Sequence, residues 1–338
     1  EGYFADGRLI GSDAYHVVNT YLPLPDGLWD LLWDSDLGLP EYDYEASENQ
    51  QEAAREQARD ILRPYVHDLV QDMDLDELLP LYSDQVAGAG QADVETLHSC
   101  NSVYHTPETS QYSMMSVVHI DMEDGDIDAT GVLSDGWTVY ASQDNLYVAQ
   151  SSWWWWWGWG DLDLGTHIHK FELGEGAPRY RAAGEDDGWL LNQFSMSEDD
   201  GYLRVASTER DWWWGTGEDQ GGNHVTVLKD INGHLTDVGS VRDIAPGEQI
   251  QGVRMMGDKG YVVTYEQIDP LWTIDLSNPY DPTIEGELEM HGFSTYLHPV
   301  GDDYLLAVGW AGDMDGNIDG LAVNLFDVSD FADPQLAD

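Results

Sequence analysis

The stretch GDKGYVVTYEQIDPLWTIDLSNPYDPTIEGELEM (257–290) decides the fold. A polar turn leads into an alternating strand, YVVTY. A second strand, LWTIDL, ends in an acidic residue, Asp275, and a third, TIEGELEM, follows a turn. Asp269-Pro270 and Asn278-Pro279 are turn dipeptides, because the residue before proline is pushed out of the α region. Asp275 is placed to accept hydrogen bonds from turn amides.

Working outward, both halves of this pattern recur. The strand ending in an acid returns as VVHIDM at Asp121, HIHKFEL at Glu172, HVTVLKD at Asp230 and VNLFDV at Asp327, spaced 51, 58, 45 and 52 residues apart when Asp275 is included. The turn-plus-strand unit returns as GSDAYHVVN (11–19), SQDNLYVAQ (142–150), EDDGYLRVAS (198–207) and GDDYLLAVG (301–309). Asp-Asn, Asp-Gly and Asp-Asp tolerate positive φ and suit hairpins. Two further short strands separate the units, giving four strands per ~50 residues, the period of a β-propeller blade. The predicted fold is all-β: a propeller of four-stranded antiparallel blades, with 1–338 a single domain or a fragment of one. Four complete blades are expected at 117–150, 166–208, 223–266 and 271–310, with half blades at 2–20 and 321–338.

One segment breaks the repeat, an insertion over 21–97 with a helical part near 47–80. Ser47-Glu48-Asn49-Gln50 reads as a capping box. Ala54, Ala58, Ile61, Leu62, Tyr65 and Leu69 recur at helical spacing and are expected to pack on the propeller. Pro64 is expected to end or kink this helix, and 72–80 reads as a second short one.

Composition narrows the function. Thirteen Lys+Arg against 65 Asp+Glu give a net charge of −52, which excludes a nucleic-acid binder. Such a surface fits saline surroundings, calcium, or plain solubility, a halophilic-like character. No apolar run reaches the ~20 residues of a membrane span. A hydrophobic content of 42% is enough for a core. Cys100 is the single cysteine, so no disulfide forms within the chain. No signal peptide is present in these residues.

These residues also carry a resemblance. The stretch GEQIQGVRMMGDKGYVVTYEQIDPLWTIDLSNPYDPTIEGELEMHGFSTYLHP (247–299), with LLNQFSMSEDDGYLRVAST (190–208), LHSCNSVYH (97–105), TVYASQDNLYVA (138–149), LFDVSDFADP (325–334) and GYFADGRLIGSDAYHVV (2–18), resembles a secreted bacterial and archaeal family of C-terminal β-propeller domains distantly related to WD repeats. The resemblance implies the propeller fold and an extracellular or cell-envelope location, and it implies no activity. It also implies a ring of more blades, on the order of seven; closure of a five-bladed ring by the two half blades is the rival. The tryptophan-rich loops and the acidic helical insertion depart from the family pattern.

The unusual chemistry lies in those loops. SSWWWWWGWG (151–160) carries Trp153, Trp154, Trp155, Trp156, Trp157 and Trp159, and DWWWGTGEDQGG (211–222) carries Trp212, Trp213 and Trp214. Each run is expected to leave the outermost strand of one blade and enter the innermost strand of the next, on one propeller face. Five consecutive indoles cannot all enter one core, so they either pack on each other or meet a partner. Flat rings with acidic neighbours suit sugars, or cations. DMDGNIDG (313–320) is the metal candidate: Asp313, Asp315, Asn317 and Asp319 alternate as in the first half of a calcium loop. It lacks the glycine at position 6, where Ile318 stands, and the closing Glu, where Asn324 stands. Weaker candidates are His167 with His169 on one strand, and His98 with Cys100 and His105. Arg204 and Arg254 read as equivalent late-strand cations paired with buried acids. Signatures of nucleophile elbows, zinc proteases, Walker loops and dinucleotide sites are missing, and no organic cofactor is expected.

Two functions follow. The first is a non-enzymatic binding or scaffold propeller at the cell surface, contacting a glycan or a protein through the Trp-rich loops, with calcium stiffening the acidic ones. The second is a secreted hydrolase or lyase working with paired carboxylates on the propeller face.

Overall fold

A computed structural model of the chain describes residues 2–40, 43, 46–71, 73–74, 78–84, 93–106, 113–151, 165–209, 221–265, 269–312 and 318–337. β1 (Gly2–Ile10) and β2 (Asp13–Tyr21) form a hairpin. The chain then leaves the sheet for α1 (Leu28–Leu32), α2 (Glu48–Gln71), a hairpin of β3 (Leu81–Asp84) and β4 (Asp93–Thr96), and β5 (Val103–Tyr104). It returns as β6 (Ser113–Asp121), which pairs antiparallel with β2, followed by β7 (Ile127–Val132). β5 adds to the β7 edge in parallel.

Four more antiparallel meanders follow. They are β8 (Thr138–Ala141), β9 (Asn145–Ser151), β10 (Thr166–Glu172) and β11 (Arg179–Asp186); then β12 (Met196–Asp199), β13 (Tyr202–Glu209), β14 (Gly222–Ile231) and β15 (His234–Ile244). β16 (Gln249–Met256), β17 (Lys259–Tyr265), β18 (Asp269–Asp275) and β19 (Thr283–Met290) come next. β20 (Gly292–Val300), β21 (Tyr304–Gly312), β22 (Ile318–Asp327) and β23 (Gln335–Leu336) complete the set.

This grouping is two strands out of phase with the expected one. The turn-plus-strand unit is the second strand of each meander and the acid-ended unit is the third, and they pair directly. The leading hairpin is therefore half of the first meander, separated from its other half by residues 22–112. Spacing alone cannot reveal the phase, because a ~50-residue period is the same wherever the frame begins. Asp275 acts as expected, and three of its equivalents share the role. Asp121 accepts from the Glu123 amide (2.7 Å), Asp230 from Gly233 (3.0 Å), Asp275 from Ser277 (2.8 Å) and Asp327 from Ser329 (3.0 Å). Glu172 instead pairs with Arg179 and Arg181.

Alternation along the strands buries one side chain set against each neighbour. Four core clusters result, one per seam. Val17 and Val117 of the first meander meet Val148 and Phe171 of the second. Tyr147 and Ile168 meet Leu203 and Leu228, and Val225 and Ile244 meet Ile250 and Val262. Tyr261 and Leu271 meet Leu305 and Phe326. The outer face of the fifth meander leaves Trp310, Leu321 and Val323 exposed, and β1 exposes Tyr3, Phe4 and Leu9.

The seams explain the proline-rich turn as well. A Cβ on Gly239 of β15 would lie 2.5 Å from the Pro279 carbonyl oxygen, and one on Gly286 of β19 would lie 2.8 Å from that of Ala332. The turns after the third strands of the fourth and fifth meanders thus each seat on a glycine in the fourth strand of the preceding meander. Because the obstructing atoms are backbone, Gly239→Ala is expected to cost about 1–3 kcal/mol, measured by chemical denaturation.

In the insertion, Gln50 Oε1 accepts from the Ser47 amide (3.1 Å) and hydroxyl (2.7 Å), as a capping residue should. α2 does not end at Pro64; it runs on to Gln71. Its buried residues among those described, Arg55 and Ala58, both precede the proline. Tyr65 is exposed, so the apolar stripe is narrower than expected. Of the second helix expected at 72–80, residues 72 and 75–77 lie outside the described residues.

Candidate functional site

Antiparallel order sends connections alternately to the two ends of each meander. The links from first to second strand are short, as at 11–12, 200–201 and 257–258. At the opposite end lie the links from second to third strand: 22–112, 152–165, 210–221, 266–268 and 313–317. The helical insertion, both tryptophan runs and most of the aspartate-rich stretch therefore attach at one end of the sheets. The runs join the second and third strands of a meander, correcting the expected passage from one blade to the next. Trp153, Trp154, Trp155, Trp156, Trp157, Trp159, Trp212, Trp213 and Trp214 lie outside the described residues, as do Asp313, Asp315 and Asn317. Asp319 falls on β22.

The strand ends beneath these segments are pinned. Ser151 and Thr166 share a hydroxyl–hydroxyl bond (3.0 Å) where the first run leaves and returns, and Thr166 also donates to the Gly188 carbonyl (2.6 Å). At the second run Thr208 donates to Asn223 (2.8 Å), Asn223 donates to the Ile244 carbonyl (2.8 Å), and His224 bonds Glu209 (2.8 Å). Asn19 exchanges two bonds with Gly136 in the first meander. Saturating these buried groups makes the end of each sheet a rigid base for what it carries.

Ionisable groups at this end are mostly accounted for. Burial pushes Asp135, in the link 133–137, up to about 6, and its Oδ1 has no partner. Asp186 is also raised by burial, although the Gly188 amide donates to it (3.4 Å). His169 bonds Ser134 through Nε2 (3.1 Å) and Tyr180 through Nδ1 (3.0 Å), and burial pushes its pKa down to about 4. His167 instead faces Glu185 at 3.1 Å, so the two histidines do not converge. His98 bonds Ser116 (2.8 Å), and Cys100 is exposed. Among the described residues no group of three or more His, Cys, Asp and Glu is arranged to hold a metal.

The arginines differ from expectation. Arg204, on a second strand, bonds the Gly257 carbonyl (2.9 Å) and Ser197 (3.1 Å) and lies 3.5 Å from the half-exposed Asp199. Arg254, on a first strand, has no ion pair among the described residues and lies over the Phe194 ring at 5.3 Å. Its equivalent is Arg8, also two residues before the end of a first strand. The shared spelling, RLIG at 8–11 and RMMG at 254–257, is the signal that would have found it. The first strands β1, β8, β12 and β16 bring both arginines to one cavity of about 270 Å³.

Four-stranded meanders packed face to face in sequence are the architecture of a β-propeller. The profile of the family described as beta propeller domain matches residues 1–338, and the chain belongs to that family. An uncharacterized protein of Methanocaldococcus jannaschii is 43% identical over 156 residues, 46% of this chain and 23% of that one. An uncharacterized protein of Archaeoglobus fulgidus is 41% identical over 172 residues, 50% of this chain and 24% of that one. The matched regions thus span about a quarter of these relatives' length. Among solved structures, a mutant of Synechocystis apocarotenoid oxygenase aligns with a TM-score of 0.39 at 10% identity, over 67% of this chain and 58% of that one.

Proposed function

We propose that this propeller is a non-enzymatic binding or scaffold module of the cell surface or its surroundings. It engages a glycan, or a protein, through the tryptophans at 153–159 and 212–214. The observation that supports this reading is the shared attachment of both tryptophan runs at one pinned end of adjacent meanders. Two indole-rich segments rooted side by side can act on one extended ligand, and their avidity multiplies. Calcium held by Asp313, Asp315, Asn317 and Asp319 would stiffen the corresponding link of the fifth meander. In this reading further blades of a larger ring cover the exposed Trp310, Leu321 and Val323 face.

The test is affinity electrophoresis in gels containing soluble polysaccharides. The wild-type chain is expected to be retarded by at least one of them. A variant with both tryptophan runs replaced by Gly-Ser segments of equal length should migrate as in plain gel. Equal retardation of the two proteins would remove the tryptophans from the function. No retardation in any polysaccharide would leave a protein partner.

A further inference from the structure

We propose that the axial cavity between Arg8 and Arg254 is a binding site for a small organic carboxylate. It is separate from the tryptophan-bearing end and independent of what binds there. The cavity is about 270 Å³ and is lined by Arg8, Tyr140, Gln193, Phe194, Met196, Arg254 and neighbouring residues. Arg8, Ala141, Ser197 and Met255 all lie within a few residues of a short first-to-second-strand turn, so the site lies toward the tight-turn face.

The anomaly is Arg254. In a chain with 65 carboxylates and only 13 lysines and arginines, a half-buried arginine would be expected to hold an acid. Other arginines among the described residues show this: Arg8 with Asp6 (2.8 Å), Arg55 with Glu52 (3.3 Å), Arg204 with Asp199 (3.5 Å), Arg242 with Asp187 (2.7 Å), and Arg179 and Arg181 with Glu172. Arg254 has neither ion pair nor hydrogen bond among the described residues, and its Nε is buried without a partner. An unpaired buried donor on a cation is costly to maintain. Two acids on neighbouring first strands are occupied elsewhere. Asp6 is taken by Arg8, and Glu198 accepts from Ser142 and Asn145 (2.8 Å).

Arg8 plays a different part. Its guanidinium is used up on Asp6 and on the Gly7 and Val139 carbonyls and Gln193, so it ties three meanders together at the wall of the cavity. Free donors therefore come from Arg254, with the Phe194 ring behind its guanidinium. A fork of N–H donors is matched by a carboxylate, which takes two parallel bonds. Phe194, Met196, Ala141 and Met255 offer an apolar floor for a compact tail. The volume suits a small molecule and not a polymer.

Benzoate is the probe, with benzamide as its neutral isostere, titrated by calorimetry at fixed ionic strength. Benzoate is expected to bind saturably, one per chain, about tenfold or more tighter than benzamide, the value of a charge-assisted bond. Arg254→Met should abolish that binding, and Arg242→Gln, a surface cation, should leave it intact. Without ligand, Arg254→Met should melt no lower than wild type, because no ion pair or hydrogen bond is lost and the methionine side chain still covers the Phe194 ring. Arg254→Lys guards against a failure of the first variant to fold: it keeps the charge and should weaken binding by losing the fork. Equal affinity for benzoate and benzamide would overturn the proposal. So would benzoate binding unchanged in Arg254→Met, or a lowered melting temperature in that variant, which would make Arg254 a structural support.

Discussion

Phe326→Ala is expected to lower the unfolding free energy by about 3–5 kcal/mol, the range for emptying a fully buried aromatic site. Phe326 on β22 is 0% exposed, within the cluster that joins the fourth and fifth meanders through Tyr261, Leu271, Leu297 and Leu305. Its neighbours belong to two stiff sheets, so the cavity cannot close by moving one side chain. The loss should also be local in its first consequence. Amide exchange along β20–β22 is expected to accelerate before exchange in the first two meanders, because each meander packs only on its neighbours. A loss below about 1 kcal/mol would mean that the fifth meander is not seated as described.

Asp135→Asn is expected to stabilise the protein at neutral pH. The folded carboxyl titrates at about 6 because of burial, against an ordinary value of 3.8. Between those values the native state holds a proton that the unfolded chain has released. The stability from the neutral acid is therefore fully present below about pH 4 and is lost as pH rises through 6. The displacement corresponds to about 3 kcal/mol above pH 7, at 1.36 kcal/mol per pH unit. An amide has the same shape and cannot ionise, so the variant should be more stable than wild type at pH 7.5. The difference should shrink toward zero by pH 4. His169 acts in the opposite sense: its folded value of about 4 lies below the ordinary 6.5, so stability is lost as pH falls through 4. That contribution is common to both proteins and cancels in the difference. Denaturation curves at pH 4, 5.5 and 7.5 check this; a variant less stable than wild type at 7.5 would contradict it.

The propeller was legible because its signals are local. Strand alternation, aspartate-bearing turns and an acid closing each third strand appear in every repeat, and all the closing acids but Glu172 act on amides two or three positions away. The phase of the repeat was not legible, because it depends on pairs such as Val17–Val117 and Ala149–Ile168 that no spacing distinguishes from their neighbours. The placement of the tryptophan segments followed from the same frame, since a shift of two strands turns a link within a blade into a junction between two. Pro64 looked like a helix end because propensity speaks against it, but α2 packs against α1 and continues to Gln71. The cavity arginines were hidden by a wrong alignment. Arg254 was matched to Arg204 by position late in a strand, when the Arg-x-x-Gly spelling pairs it with Arg8.

The most direct test of the binding reading is intrinsic tryptophan fluorescence during titration with a polysaccharide panel, in calcium and then in chelator. Fifteen tryptophans make the signal sensitive, and nine of them lie in the two runs. A saturable spectral shift without release of reducing ends is the predicted result, weakened when calcium is removed. Release of reducing ends would identify a hydrolase or lyase instead, and an unchanged spectrum with every polysaccharide would contradict a glycan-binding face.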